Sequence, residues 1–280
     1  MNTVTDKTVL VTGGARGIGK GLARACLAEG ARVVITNLDT AVAAATVDEL
    51  STMGEIRAIR CDATDRAAVD SMLDDIWANE GPVDVAFSNA GTGDMAPILD
   101  MPMESVHQLF STNFDSALHL AQSYAPRLIE ADRPGHIMFT GSEHSLDMPP
   151  WCADLGFGIY GATKHAMLVI AEWLRSELQD TRVSVSVLMP GPVVTEGLEA
   201  TFEALAANPD DPALRSRFSK STELGLRERF ISTERCAEVA LRGLQEGLFF
   251  IPAQPHIKND VDARYRELSA AFETLGLTTG

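Results

Sequence analysis

The chain has 280 residues, 45% of them hydrophobic and 22% charged, with a formal net charge of −16 at pH 7. That length and apolar content suffice for a large core, and the acidic surplus weighs against nucleic acid or an anionic membrane as partner, since either would be repelled. Cys26, Cys61, Cys152 and Cys236 stand far apart with no Cys-x-x-Cys pair, and no His, Cys or carboxylate cluster has metal-ligand spacing, so neither a disulfide framework nor a metal is expected.

Residues 7–12 read as a short buried strand that runs directly into Gly13-Gly14-Ala15-Arg16-Gly17-Ile18-Gly19 and an Ala/Leu-rich helix at about 20–29. Glycine adopts the φ values of a tight turn cheaply, and without a Cβ its backbone amides approach a pyrophosphate at the positive end of the following helix. The spacing is Gly-x-x-x-Gly-x-Gly; Leu22 stands where the third glycine of the Gly-x-Gly-x-x-Gly fingerprint would fall. Further strands are predicted at 32–37, 56–60, 83–88, 134–140, 183–188 and 248–251, most of them rich in Val, Ile and Phe with little alternation, as in strands covered on both faces. Long helices are predicted near 103–130 and 158–179, and another at about 259–275. The alternation predicts right-handed βαβ units, and so an α/β fold: a doubly wound, Rossmann-like parallel sheet of seven strands with helices on both faces and ligands beyond the carboxyl ends of the strands. Residues 1–280 read as one domain. The polar N-terminal residues and the lack of an apolar run of membrane-spanning length predict a cytoplasmic protein with reduced thiols.

Within the helix at 158–179, Tyr160 and Lys164 are four apart and share a face. Tyrosine alone holds its proton to about pH 10. A neighbouring ammonium stabilises phenolate and lowers that pKa, toward the range where general acid-base catalysis works.

Thr12-Gly13-x-x-x-Gly17-x-Gly19, Ser88-Asn89-Ala90-Gly91, Asn113, a serine after the fifth strand, Tyr160-x-x-x-Lys164 and Pro190-Gly191-Pro192-Val193-Val194-Thr195 follow one another in the order seen in short-chain dehydrogenases/reductases. The chain resembles that family closely over about residues 5–195 and loosely beyond. The resemblance implies hydride transfer between a nicotinamide cofactor and an alcohol or ketone. Tyr160 would exchange the proton, Lys164 would hold the nicotinamide ribose and stabilise phenolate, Ser142 would hydrogen-bond the substrate oxygen, and Asn113 would order a relay water. Ser142 lies 18 positions before Tyr160, more than is usual, which leaves Ser145 as a competitor. The same resemblance implies cofactor contacts from Gly13, Gly17, Ile18 and Gly19, from Asn89, Ala90 and Gly91, and from Pro190, Gly191, Val193 and Thr195. Asp62 would meet the adenine or instead cap the next helix.

Asn37 ends the second strand, where an acidic residue normally accepts hydrogen bonds from the adenosine ribose and repels a 2′-phosphate. With Arg16 in the loop as a phosphate partner, NADP(H) is preferred over NAD(H), although Asp39 is close and Leu38 stands where NADP-using relatives often have a second basic residue. Two apolar segments, 146–157 before Tyr160 and 196–232 with Phe202, Leu205, Phe218 and Leu224, either cover the substrate or pack against the protein or a second subunit. If they line the pocket, the substrate is a bulky aromatic or alicyclic secondary alcohol or its ketone. His144 is a substrate contact or polar filler. A homo-oligomer is expected, a dimer or tetramer, with the helices at 103–130 and 158–179 as the interface. The alternatives are a catalytically silent nicotinamide-binding regulator and an isomerase or dehydratase of the same fold.

Overall fold

Val9 and Val11 on one side of the first strand and Leu10 on the other are all fully buried, so this strand has no solvent face and must be sandwiched between helices. The computed structural model, which describes residues 3–215 and 218–277, has the order β1 (Thr8–Thr12), α1 (Gly17–Ala28), β2 (Arg32–Asn37), α2 (Thr40–Leu50), β3 (Ile56–Arg60), α3 (Arg66–Asn79), β4 (Val85–Ser88), α4 (Met103–Phe110), a π-helical turn (Ser111–Asp115), α5 (Ser116–Glu130) and β5 (Gly135–Thr140). Two 3-10 segments, Glu143–Ser145 and Pro150–Leu155, precede α6 (Gly158–Glu177) and β6 (Val183–Met189). Then come β7 (Val193–Val194), α7 (Glu196–Ala207), α8 (Pro212–Arg215), α9 (Lys220–Arg229), β8 (Ile231–Ser232), α10 (Thr233–Gln245), β9 (Phe250–Pro252) and α11 (His256–Thr274).

Seven strands form one sheet in the order β3-β2-β1-β4-β5-β6-β9, and every neighbouring pair is parallel. The fold is therefore the doubly wound parallel sheet that the strand pattern predicts. The order reverses between β1 and β4, which opens a crevice at their carboxyl ends. One core lies on each face. Leu10, Val34, Ala86, Ile137 and Val185 pack with α3, α5 and α6, whereas Val9, Val11, Ile35, Phe87 and Leu188 pack with α1 and α10. Truncating Leu10, Ile35, Ile137 or Leu188 to Ala removes a buried side chain worth roughly 2–5 kcal/mol.

Three features differ from the sequence expectation, and a fourth bears on an alternative left open there. The helix expected at 103–130 is broken by the π turn, in which the Ser116 amide reaches back five residues to the Ser111 carbonyl. The last strand starts at Phe250, because Gly247 takes a left-handed φ of +66° and turns the chain just before it. A separate two-stranded pair, β7 with β8, ties the chain after β6 to the start of α10. Finally, Phe202, Leu205, Phe218 and Leu226 from the 196–232 region join Cys152 and Leu155 in a third apolar cluster. That cluster fastens the segment after β7 to the insertion before α6.

Candidate active site

A cleft of about 1250 Å³ runs over the carboxyl ends of the strands, from the glycine loop after β1 to Trp151 and Phe218. Its first end is an anion cradle. Gly13 and Gly17 take φ of +62° and +51°, values that an L side chain would strain. The Gly17 amide donates to Glu196 Oε2 at 3.1 Å, so a carboxylate from α7 sits where the N-terminus of α1 attracts negative charge. The loop thus fits a dinucleotide pyrophosphate. Gly19 lies beneath the loop: a Cβ there would come within 2.4 Å of the Gly13 carbonyl oxygen. Asn89 braces the loop from below, its Nδ2 donating to the carbonyls of Thr12 (3.1 Å) and Gly13 (3.3 Å), and the Asn89 and Ala90 amides donate to Thr12 Oγ1.

Gly13, Arg16, Gly17, Ile18, Asn37, Asn89 and Gly91 line the cleft, as do Pro190, Gly191, Val193 and Thr195 after β6. Gly19, Asp62, Ala90 and Asn113 do not form part of that wall. Asp62 Oδ1 accepts from Thr64 N (3.0 Å) and Thr64 Oγ1 (2.7 Å), and the Thr64 hydroxyl is the main cause of its lowered pKa. The cap of α3 is instead Asp65. Asn37 Oδ1 accepts from the Asp39 amide at 2.9 Å, while Asp39 caps α2 through the amides of Ala41 and Val42. Arg16 is an exposed neighbour of Asp39 at 3.8 Å.

At the centre, α6 brings Tyr160 and Lys164 to the cleft floor beside Ser142. Lys164 is buried, its Nζ donates to the Thr140 carbonyl at 2.8 Å, and it stands 5.7 Å from the centre of the Tyr160 ring. Burial draws the Lys164 pKa down to about 8. Tyr160 departs from the sequence expectation. In the protein alone its pKa is raised, chiefly by burial and further by the nearby charge of Glu143, while a hydrogen bond with Ser142 pulls the other way. The Lys164 ammonium does not reverse this.

Ser142 and Ser145 have different surroundings. Ser142 faces the cleft and the Tyr160 phenol. The Ser145 hydroxyl turns away from the cleft and accepts the Ser142 amide at 3.1 Å, closing a capping box that fixes the one-turn helix after β5. Asn113 is buried in the π turn. Its Oδ1 accepts from Thr92 N (2.7 Å) and its Nδ2 donates to Thr92 O (2.9 Å) and Thr163 Oγ1 (3.1 Å). It therefore clamps the loop after β4 to α6, and a Cβ on Gly91 would meet both Asn113 Oδ1 (3.2 Å) and Lys164 Nζ (3.7 Å).

Trp151, Leu155, Phe157, Leu198, Phe218 and Leu226 wall the far end. Phe202 and Leu205 lie behind this wall in the third cluster, and Leu224 is 59% exposed. The two apolar segments thus divide between cleft and packing. His144 is buried with its ring edge-on to Tyr160, 6.1 Å between centres, and burial lowers its pKa. Three site residues escaped the sequence reading: Glu143, His256 and Glu196. Glu143 and His256 meet at 2.7 Å although 113 residues separate them in the chain, a pairing that no local spacing reveals. The four cysteines are free and buried, and among the described residues no helix is long and apolar enough to cross a membrane.

Known proteins place this geometry. The family profile for short chain dehydrogenase matches residues 7–206. The 1-deoxy-11-beta-hydroxypentalenate dehydrogenase of Streptomyces avermitilis is 38% identical over 203 residues, 70% of this chain and 73% of that protein. A short chain dehydrogenase/reductase from Burkholderia phymatum in complex with NAD superposes with a TM-score of 0.81 at 25% identity, covering 97% of both chains. A metagenomic short-chain oxidoreductase in complex with NADP gives a TM-score of 0.61 at 28% identity over 67% of this chain and 83% of that one.

Proposed function

The chain belongs to the short-chain dehydrogenase family, and from that premise we propose that it transfers hydride between NADP(H) and a bulky, largely apolar secondary alcohol or ketone. The observation that carries this reading is the convergence of Ser142, Tyr160 and Lys164 on the floor of a cleft whose other end is an anion cradle. A bound nicotinamide supplies or accepts the hydride. The residues of the chain do the rest. The Ser142 hydroxyl donates to the substrate oxygen and stabilises charge that develops there. The Tyr160 hydroxyl gives that oxygen a proton during reduction and takes it back during oxidation. Lys164, anchored on the Thr140 carbonyl, holds the nicotinamide ribose and lends positive charge when the phenolate forms. Asn113, through its grip on Thr92 and Thr163, positions α6 and the loop that meets the cofactor.

The preference for NADP(H) rests on Arg16 and Asn37 on the cleft wall. Asn37 has no charge to repel a 2′-phosphate, and the nearby Asp39 carboxylate is engaged as a helix cap. Aromatic and branched side chains at the far end favour a large apolar substrate. We assign the protein to the reducing cytoplasm, where its four free thiols stay reduced, and propose a homo-oligomer through α4 and α6.

The test is steady-state kinetics with a panel of aryl and alicyclic ketones. Tyr160→Phe should cut kcat by roughly 10²- to 10⁴-fold, and Ser142→Ala by roughly 10²-fold or more, whereas Ser145→Ala should cost much less. NADPH should give the higher kcat/KM, and Arg16→Ala should erase the advantage. Turnover that survives Tyr160→Phe, or a large preference for NADH, overturns the corresponding part of the reading.

A further inference from the structure

Glu143 follows Ser142 directly and places a carboxylate in the wall of the cleft's substrate end, which Trp151, Leu155, Phe157, Phe218 and Leu226 also line. Its side chain is 5% exposed. A carboxylate so deeply buried needs partners, and the fold supplies one on one oxygen only. His256, the first residue of α11, contacts Oε2 through Nε2 at 2.7 Å. Oε1 has no hydrogen-bond partner among the described residues.

The pair is built into the fold. The Glu143 amide donates to the Pro190 carbonyl at 2.8 Å, which fixes its backbone against the end of β6. A Cβ on Gly191 would lie 3.0 Å from Glu143 Oε2 and 3.0 Å from His256 Cε1, so a side chain there would crowd the contact. The Gly191 amide donates to Gln254 Oε1 at 2.7 Å, and Gln254 Nε2 donates to the Pro192 carbonyl at 2.9 Å, which pins the segment carrying His256. Edge-on packing of Trp151 against the His256 ring, 6.4 Å between centres, closes the outer side. Asp260, one turn further along α11, lies in the same group. Arg229 lies over Trp151 at 4.8 Å and adds a positive charge beside Asp260. With His256 already hydrogen-bonded to the carboxylate and a guanidinium close by, the group is arranged to hold Glu143 in place rather than to collect a metal cation.

We propose that Glu143 is a specificity-determining residue: its Oε1 accepts a hydrogen bond from a second polar group of the substrate, an O–H or N–H⁺ donor on the carbon next to the reacting one. Ser142 and Glu143 both line the cleft, so one substrate can meet both. The proximity of Glu143 to the Tyr160 phenol agrees with this placement. The preferred substrate is thus a vicinal hydroxy- or amino-ketone, or the corresponding diol or amino-alcohol, on an apolar skeleton. A carboxylate at that carbon is repelled. This inference rests on the dehydrogenase reading of the same cleft.

Three matched ketones test it: propiophenone, 2-hydroxypropiophenone and 2-aminopropiophenone, each followed by reduced-nicotinamide absorbance. The wild type should favour at least one donor-bearing ketone over propiophenone by roughly 10- to 100-fold in kcat/KM, as a hydrogen bond to a charged acceptor predicts. The hydroxyl and ammonium arms tell which donor is read. Glu143→Leu should collapse the ratio to about one, mainly through KM, and Glu143→Gln, which keeps size and an acceptor oxygen, should retain part of it. Equal treatment of the three ketones by the wild type, or a ratio that survives Glu143→Leu, overturns the inference while leaving the dehydrogenase reading intact. Absence of turnover with all three and with the wider panel of aryl and alicyclic ketones overturns both.

Discussion

Lys164 is a charged group that the fold holds at a cost. It is 5% exposed, and its ammonium has the Thr140 carbonyl as its hydrogen-bond acceptor. Burial lowers its pKa from 10.5 to about 8. In the unfolded chain the amine stays protonated up to its ordinary pKa, so between pH 8 and 10.5 the unfolded state binds the extra proton. Stability from this group therefore rises as pH rises through that window, and the penalty is fully present below pH 8. At about 1.4 kcal/mol per unit, the relief amounts to about 3 kcal/mol. Urea unfolding should show the wild type gaining this much on a Lys164→Met variant between pH 8 and 10.5. The variant should fold well at pH 7 yet lose turnover, which separates the lysine's chemical role from a structural one. A pH-independent difference between the two proteins contradicts the buried-ammonium account. The pairing of Tyr160 with Lys164 was legible in the sequence because both lie on one helix, where spacing alone decides which side chains share a face. The direction of the Tyr160 shift was not, because it depends on how deeply the phenol is buried and on Glu143, whose position is set by tertiary structure.

The same contrast holds for elements. Strand runs and the glycine turn are encoded locally, and β1 to β6 fall close to where the apolar pattern puts them. The π turn at Ser111–Asp115 has no local signal: neither Pro nor Gly breaks the helical pattern there. The wider turn is selected by the hydrogen bonds that Asn113 makes to Thr92 and Thr163. Likewise α7 was expected only as part of a covering segment, and its first residue, Glu196, reaches the N-terminus of α1. The carboxylate competes there with any phosphate for the Gly17 amide. A phosphate that took the Gly17 amide would displace the Glu196 carboxylate. Removing the charge should tighten binding: Glu196→Gln is expected to lower the Kd for NADPH roughly two- to fivefold, the worth of one exposed anion at a helix N-terminus, as read by fluorescence titration. Weaker binding in that variant means that Glu196 contacts the cofactor favourably instead.

At the scale of the whole molecule, a surface with a net charge of −16 resists self-association unless apolar area overcomes the repulsion. Some exposed apolar area lies on two helices packed together, α4 and α6. Met103 is 63% exposed on the first, and Val169 and Trp173, one turn apart on the second, are 51% and 67% exposed. Scattered apolar residues need no explanation, but Val169 and Trp173 form an exposed apolar stripe along one face of α6. A second copy of the chain is the partner proposed for this face. It would back the helix that carries Tyr160 and Lys164, so association would stiffen the site. Sedimentation velocity at micromolar concentration should give a dimer or tetramer that tightens as salt screens the acidic surface. Trp173→Glu should weaken association roughly thirtyfold or more, as loss of a buried aromatic anchor does, with an unchanged far-ultraviolet circular dichroism spectrum. A wild-type protein that sediments as a monomer at every concentration and salt level removes α4 and α6 as the interface, and the exposed indole then needs a different partner.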